Sequence, residues 1–511
     1  MPITGMILDV AARHPDRPAI VGSDGRLTYA QLVDDSRRMF AAVDALHRSQ
    51  PVPPRPAAET GGIPITAVSI TSAFHTARIV AGLAGFRTVS ATIDPRWPLE
   101  HRVRVILTCG IGVVISDSTA LQTALIDAGW TGTVLSLAEF MRREAYARPR
   151  GMPRVRDSRE AFLLLFSSGT TSNPKAFLKT RGQYRANYAI SSAHLEPLPG
   201  VATFAPGPIS YSLTLYAVIE SLASGGSVHV ADAFEPAAVG GRIRDERITR
   251  VVAVPAVVQS LADAARRDPA AFERLALVVT GGANLSSVLR DELARVLPEV
   301  RLISYYGAAE IGFIGDSRGG DGTRIAVYDG VEVAIRDEVG APVADGELGT
   351  LWVRAEACSD GYLAATTREV LREPDGWATV HDQGRLVPDT PGTPGGLELV
   401  GRAGDIAVTG GHKVSLQDVD RAFEGMPQLG AVSAVAVPHT RLGTVVALVI
   451  EKNGAATPAK AQLQAWAREK LAPQYVPRRW YVVPALPRTV GGKIRRGETA
   501  ELIARGEAER L

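Results

Sequence analysis

The sequence predicts an α/β protein built of layered, largely parallel sheets and helices, in more than one folding unit. Its 511 residues are about three times an ordinary single domain. Short apolar runs alternate with helix-like stretches, the pattern that parallel sheets require. Gly (50) and Pro (33) make up roughly a sixth of the chain against a background of about 12%, and they cluster where connections are expected.

Tyr29–Leu46 has helical periodicity, and PVPPRPAAETGG (51–62) after it reads as an exposed connector. Buried strands are expected at 65–71, 88–94, 111–117, 162–168, 227–232, 250–255, 276–282 and 301–307. Pro269–Arg274 and Ser286–Val296 carry helical period between the later ones. PDTPGTPGG (388–396) is the strongest linker-like cluster, and a boundary near residue 403 leaves enough chain for one small C-terminal domain. Ligands in open α/β sheets bind at the carboxyl ends of strands, so functional residues are expected at those exits.

Composition narrows the classes. Apolar residues at 46% and charged residues at 22% suit a globular protein with a sizeable core. Lys plus Arg number 56 against 54 Asp plus Glu, a net charge of +2, which argues against an electrostatic nucleic-acid binder. Two cysteines, Cys109 and Cys358, make a disulfide framework or a cysteine zinc site unexpected. Neither a membrane span nor a signal peptide is apparent, so a cytoplasmic protein is expected.

The sharpest local feature is the loop Ser167, Ser168, Gly169, Thr170, Thr171, Ser172, Asn173, Pro174, Lys175, which follows an apolar strand. Its N–H groups and hydroxyls can surround phosphate oxygens, and Lys175 adds positive charge. It lacks the spacing of a P-loop, and taken alone it also reads as a polar surface turn.

SSGTTSNPK resembles the phosphate-binding signature of the adenylate-forming superfamily, which includes acyl- and aryl-CoA synthetases, peptide-synthetase adenylation domains and luciferases. Five further segments resemble its signatures in the same order: TVSATIDPRWPLEHRVRVIL (88–107), TGGANLS (280–286) with YYGAAE (305–310), HDQGR (381–385), GRAGDIAVTGGHKVSLQDVD (401–420) and PRTVGGKIRR (487–496). The resemblance runs from about residue 8 to the end. It implies a large N-terminal domain (1–402) binding ATP and acid, and a small mobile α/β cap (403–511) hinged at Gly404 and carrying the catalytic lysine.

The resemblance also implies roles. Gly281, Gly282 and Ala283 are small residues that let adenine approach the backbone. Tyr305, Tyr306, Gly307 and Ala309 belong to the same nucleotide site, with Tyr306 offering a stacking face. Glu310 is the acid that holds Mg²⁺ against the phosphates. Asp382 accepts from the ribose diol, while Arg402 and Lys413 contact nucleotide as the domains close. Lys493 neutralises charge between the attacking carboxylate and the α-phosphate. Gly410, Gly411 and His412 face the coenzyme A channel. Each also has an ordinary reading: a Gly turn, a core tyrosine, a solvated glutamate at a helix start, a turn-forming aspartate, an exposed linker arginine, a basic tail.

Several positions depart from the pattern. Ser172 and Ala176 stand where glycine is usual, and a positive φ at Ser172 costs about 1 kcal/mol or more. Ala309 lacks the usual hydroxyl, and a lost hydrogen bond to a charged group costs roughly 1.5–3 kcal/mol. Gly404 replaces a charged hinge residue, and Val408 replaces a frequent lysine. Phe204, Tyr211, Ile311, Gly312 and Phe313 are the expected acid-pocket walls; aromatic walls favour an aryl or hydroxyaryl carboxylate, with a fatty acid as the alternative. The expected reaction is ATP-dependent adenylation of a small acid followed by transfer to the CoA thiol. The alternatives are loading of a carrier protein in trans and a nucleotide-binding regulator without turnover.

Overall fold

The computed structural model describes residues 3–511 except 168–173, 284, 321, 389–394, 410–411, 440–441, 455–456, 472, 474 and 490–491, with backbone alone for 402, 403, 408, 412, 413 and 443. All eight expected strand segments contain strands.

One sheet runs Thr133–Leu135, Val113–Ile115, Ile65–Val68, Val89–Thr92, Ala161–Phe166, Ala176–Thr180. Its first five strands are parallel, and the sixth turns back antiparallel, so the Ser/Thr/Gly loop connects a hairpin. The Ser167 N–H donates to the Lys175 carbonyl at 2.8 Å and closes its base.

The larger sheet has a parallel centre: Arg301–Ala308, Leu277–Thr280, Arg250–Ala253, Ala202–Ala205, Ser227–Val230 and Pro18–Gly22. Arg250–Ala253 and Leu277–Thr280 are buried at every position, as expected of strands covered on both faces. Beyond Arg301–Ala308 the sheet becomes antiparallel through Gly312–Ser317, Arg324–Val327, Gly396–Arg402, Asp382–Val387, Gly349–Arg354 and Glu332–Arg336. In this sheet the largely parallel expectation therefore holds only for the centre, whereas it holds for five of the six strands of the smaller one.

Helices Ala73–Leu83 and Ser212–Ser224 are buried all round, because they pack in the interior that joins the two sheets. The expected helix Tyr29–Leu46 spans Tyr29–Arg48, opened by a capping box between Thr28 and Gln31. Pro269–Arg274 is instead a 3₁₀ turn over Pro269–Phe272; the true helix is Pro255–Arg267. The cause is local, since Pro269 drives Asp268 to φ −144° and breaks the helix there.

The PDTPGTPGG cluster is not an interdomain linker. Its flanks Val387 and Gly396 pair across an antiparallel hairpin, although residues 389–394 lie outside the described set. The chain leaves this sheet at Arg402, makes a short turn over Ala403–Asp405, and enters a separate sheet at Ile406–Thr409. That C-terminal sheet orders His412–Ser415, Ile406–Thr409, Gly443–Glu451, Arg479–Val483 and Glu509–Arg510, with Val432–His439 also pairing with Gly443–Glu451. Leu416–Ala422 and Lys460–Lys470 cover one face around buried Trp480, and Arg496–Ala504 covers the other. Both cysteines are free and buried.

Candidate active site

The strand exits converge as the topology requires. At the end of Leu277–Thr280, a Cβ on buried Gly281 would lie 2.5 Å from the Tyr305 ring, and Gly282 has φ +79°. Only glycine admits both the ring and the turn at this exit. Ala283 beside them is exposed.

Tyr305 and Tyr306 point to opposite faces of their strand. The Tyr306 hydroxyl donates to Asp382 Oδ2 at 2.5 Å, which joins two residues 76 positions apart in the sequence. Tyr305 instead packs edge-to-face with Phe313 at 4.9 Å, and burial pushes its phenol well above the usual range. The expectation grouped the two tyrosines at the nucleotide; strand alternation faces them oppositely, with partly buried Tyr305 packed between Gly281 and Phe313.

Glu310 follows the strand end and is 7% exposed. The Tyr362 hydroxyl donates to its Oε1 at 3.1 Å. Lys175 Nζ sits 5.3 Å from the Tyr362 ring centroid and pairs with Glu369. The two charges that the sequence assigned to phosphate chemistry thus meet through one tyrosine. Below them, fully buried Lys179 donates to the carbonyls of Glu310 at 2.8 Å and Ala357 at 2.7 Å. The Ser359 N–H adds a 2.8 Å bond to the Glu310 carbonyl. Burial brings the Lys179 ammonium down to about 8. One carboxylate fits Mg²⁺, which takes one or two protein carboxylates and completes its shell with phosphates and water. Among the described residues no cluster of three or more acidic, His or Cys groups offers an all-protein metal cage.

The Ser167 hydroxyl is buried without a partner among the described residues. Ser168, Gly169, Thr170, Thr171, Ser172, Gly410 and Gly411 lie outside the described residues, as do the side chains of Arg402, His412 and Lys413. The backbone still pairs Arg402 with Asp382. Gly307 lies where the strand Arg301–Ala308 crosses its antiparallel neighbour, and a Cβ there would meet the Gly312 carbonyl at 2.4 Å. Gly404 is exposed, and a Cβ there would meet nothing within 4 Å, so packing does not require glycine at that position.

Behind Ala309 and Glu310 stands an aromatic wall. Tyr216 donates to the Ala309 carbonyl at 2.9 Å and meets Phe313 at 5.8 Å and Tyr184 at 5.2 Å, both edge-to-face. Ile311 and Phe313 are buried in this core, and a Cβ on Gly312 would come within 2.6 Å of Asn187 Oδ1. Phe204 does not belong to the wall. Its strand turns it to the opposite face, where it is 2% exposed under Arg242, whose guanidinium lies 4.6 Å from the ring. Tyr211 caps the buried helix Ser212–Ser224 at the outer edge, half-buried, with the Trp97 indole N–H bonded to its hydroxyl. Burial, helped by Asp94, raises its phenol, while Arg96 and Arg495 oppose the rise.

Arg495 carries the C-terminal basic segment to this edge. Lys493 beside it is exposed on a tight turn, where its N–H bonds to Thr489 Oγ1 at 3.1 Å and its carbonyl accepts from the Thr489 N–H at 2.7 Å. Arg496 anchors the segment on Asp405 at 2.7 Å and Asp420 at 2.9 Å. Sequence reasoning missed Tyr362, Glu369 and Lys179. A signal existed for Lys179 alone, a single charge inside the apolar strand AFLKT.

Residues 74–363 match the family described as AMP-binding enzyme, and residues 418–493 match the AMP-binding enzyme C-terminal domain. An uncharacterized acyl–CoA ligase of Bacillus subtilis (strain 168) is 26% identical over 97% of this chain and 97% of its own length. A Streptomyces protein named salicylyl-CoA synthase / salicylate adenylyltransferase is 28% identical over 99% of this chain and 94% of its own. The ATP-bound crystal structure of MatB from Rhodopseudomonas palustris superposes with a TM-score of 0.85 at 20% identity, covering 98% of both chains. With its two matched domains, the chain belongs to the AMP-binding enzyme family, as an AMP-forming acid–thiol ligase of the acyl/aryl-CoA synthetase type within the adenylate-forming superfamily.

Proposed function

We propose that this ligase activates a compact aryl carboxylate, which it passes to the thiol of coenzyme A. The observation that carries the reading is the aromatic wall of Tyr184, Tyr216, Tyr305 and Phe313 directly behind Ala309 and Glu310. Flat rings stack or pack edge-on against such a wall, while its bulk leaves little depth for a long alkyl chain. The buried Tyr184 hydroxyl has no partner among the described residues, which favours a ring carrying a hydrogen-bonding substituent.

In this reading residues 1–402 bind ATP and acid, and residues 403–511 rotate about Gly404. Gly281, Gly282, Ala283, Tyr306, Gly307 and Ala309 form the adenosine face, and Asp382, held by Tyr306, accepts from the ribose. Ser167, Ser168, Gly169, Thr170, Thr171 and Lys175 surround the phosphates. Glu310 would hold Mg²⁺, which when bound screens phosphate charge. The acid's carboxylate oxygen attacks the α-phosphorus, the bond to the bridging oxygen breaks, and pyrophosphate leaves. Lys493 neutralises the charge that builds in that transition state. The CoA sulfur then attacks the acyl carbon and AMP departs, along a channel edged by Gly410, Gly411 and His412. Arg402 and Lys413 contact the nucleotide during rotation. Use of ATP and CoA fits a cytoplasmic setting.

The test is pyrophosphate release with Mg-ATP across a panel of aryl and fatty acids, with and without CoA. Release with a hydroxyaryl acid and thioester formation with CoA support the reading. Preference for long alkyl acids refutes the aryl assignment. Transfer only to a phosphopantetheinyl carrier replaces CoA as acceptor, and ATP binding without release by any acid identifies a regulator.

A further inference from the structure

On the central sheet, the amino ends of Ala202–Ala205, Ser227–Val230 and Arg250–Ala253 open into a groove of about 350 Å³. It lies at the opposite strand ends from Gly281 and Glu310, and its volume falls in the range of small-ligand pockets. Arg17, Arg26, Arg247 and Arg274 line it. Among the described residues none of these four has a carboxylate partner; Arg17 donates one N–H to the Gly225 carbonyl at 3.3 Å. The one acidic lining residue, Glu246, is already engaged by His229 at 2.5 Å and Arg242 at 2.9 Å. The Thr249 hydroxyl, also lining the groove, is buried without a partner among the described residues. In a chain with a net charge of only +2, four uncompensated guanidinium groups around one cavity form a local excess.

An independent observation comes from the backbone. Helix Val239–Asp245 ends in a Schellman motif, with the Arg247 N–H bonded to the Arg244 carbonyl at 3.1 Å and the Ile248 N–H to the Ile243 carbonyl at 2.9 Å. Arg247 occupies its left-handed position at φ +55°, where glycine is the favoured residue. Glycine is favoured at that conformation, and the arginine that stands there places its side chain at the groove rim.

We propose that this groove is a second ligand site, which binds a compact metabolite bearing two or more phosphate groups. Guanidinium forks match phosphate oxygens bidentately, and several converging forks select a polyanion over a single anion.

The test is calorimetric titration of the full chain with fructose 1,6-bisphosphate, with AMP saturating the nucleotide site. Binding should be one-to-one, weaken with added salt, and exceed the affinity for inorganic phosphate at least tenfold. Arg274→Gln should weaken it at least fivefold. Arg247→Gly should also weaken it at least fivefold while raising Tm by about one degree, since it relieves the left-handed backbone. No heat with the wild-type chain, equal affinity for inorganic phosphate, or undiminished binding by Arg247→Gly would each overturn the site. A fall in Tm for Arg247→Gly would show that the arginine serves the fold and remove that support.

Discussion

Replacing Lys179 by methionine separates stability from positioning. The ammonium is fully buried and holds the Glu310 and Ala357 carbonyls at 2.8 and 2.7 Å. Its pKa of about 8 against 10.5 in the unfolded chain makes keeping the proton cost about 3 kcal/mol on folding. Lys179→Met removes that cost. It also leaves the Ala357 carbonyl without its ammonium donor, roughly 1–3 kcal/mol, whereas the Glu310 carbonyl keeps the Ser359 N–H at 2.8 Å. The terms oppose, so at pH 7 stability should change by no more than about 2 kcal/mol in either direction. The sign with pH is fixed: between pH 8 and 10.5 the unfolded chain holds more protons than the folded one, so this group's contribution rises with pH across that window and is lost as pH falls through 8. Lys179→Met should abolish that contribution. Activity should respond differently, because Glu310 loses one of the two donors that fix its backbone: the Mg²⁺ concentration for half-maximal rate should rise, and kcat/KM should fall about tenfold, near 1.4 kcal/mol. Denaturant melts from pH 7 to 10.5 and Mg²⁺ titrations of pyrophosphate release measure both. Destabilisation beyond about 4 kcal/mol, or an unchanged Mg²⁺ dependence, would refute the reasoning.

Tyr306→Phe removes the 2.5 Å bond to Asp382 and should raise KM for ATP about tenfold at nearly constant Tm, read by steady-state kinetics. Arg496→Met strips the shared cation from Asp405 and Asp420 and should cost about 3 kcal/mol, the low end for buried pairs because each side chain keeps some exposure. Burial lifts the Asp420 carboxyl to about 6 against Arg496's pull, so that loss should shrink as melts are run toward lower pH, where protonation removes the stranded charge. Lys493→Ala should abolish acid-dependent pyrophosphate release while sparing CoA transfer from a preformed acyl-adenylate; equal loss of both half-reactions in single-turnover assays would count against a lysine acting in adenylation alone.

Much of the architecture is written in short stretches of chain. Leu277–Thr280 is apolar at three of its four positions and buried throughout, and the glycines that must follow it are adjacent in sequence, so strand and exit are read together. Glu310, Lys175 and Lys493 stand in contiguous motifs whose order survives without any knowledge of distance. Phe204 shows the limit. An aromatic residue near a motif looks like a pocket wall, yet the strand's two-residue period sends it under Arg242, and only the neighbouring helix reveals which face is which. The hairpin at 388–396 fails similarly, because Pro and Gly mark a turn whether it joins paired strands or domains.

Local chemistry thus settles that strands occupy the eight apolar runs and that the chain carries the signatures of an adenylate-forming ligase. Tyr306 meets Asp382 across 76 residues, Lys175 meets Glu369 across 194, and Lys179 reaches the Glu310 carbonyl across 131. Four arginines from three separate regions gather around one groove. Periodicity and composition act over a few residues, whereas these pairings follow from how the sheets stack and which face each strand turns inward, and that is set by burial of the whole core at once.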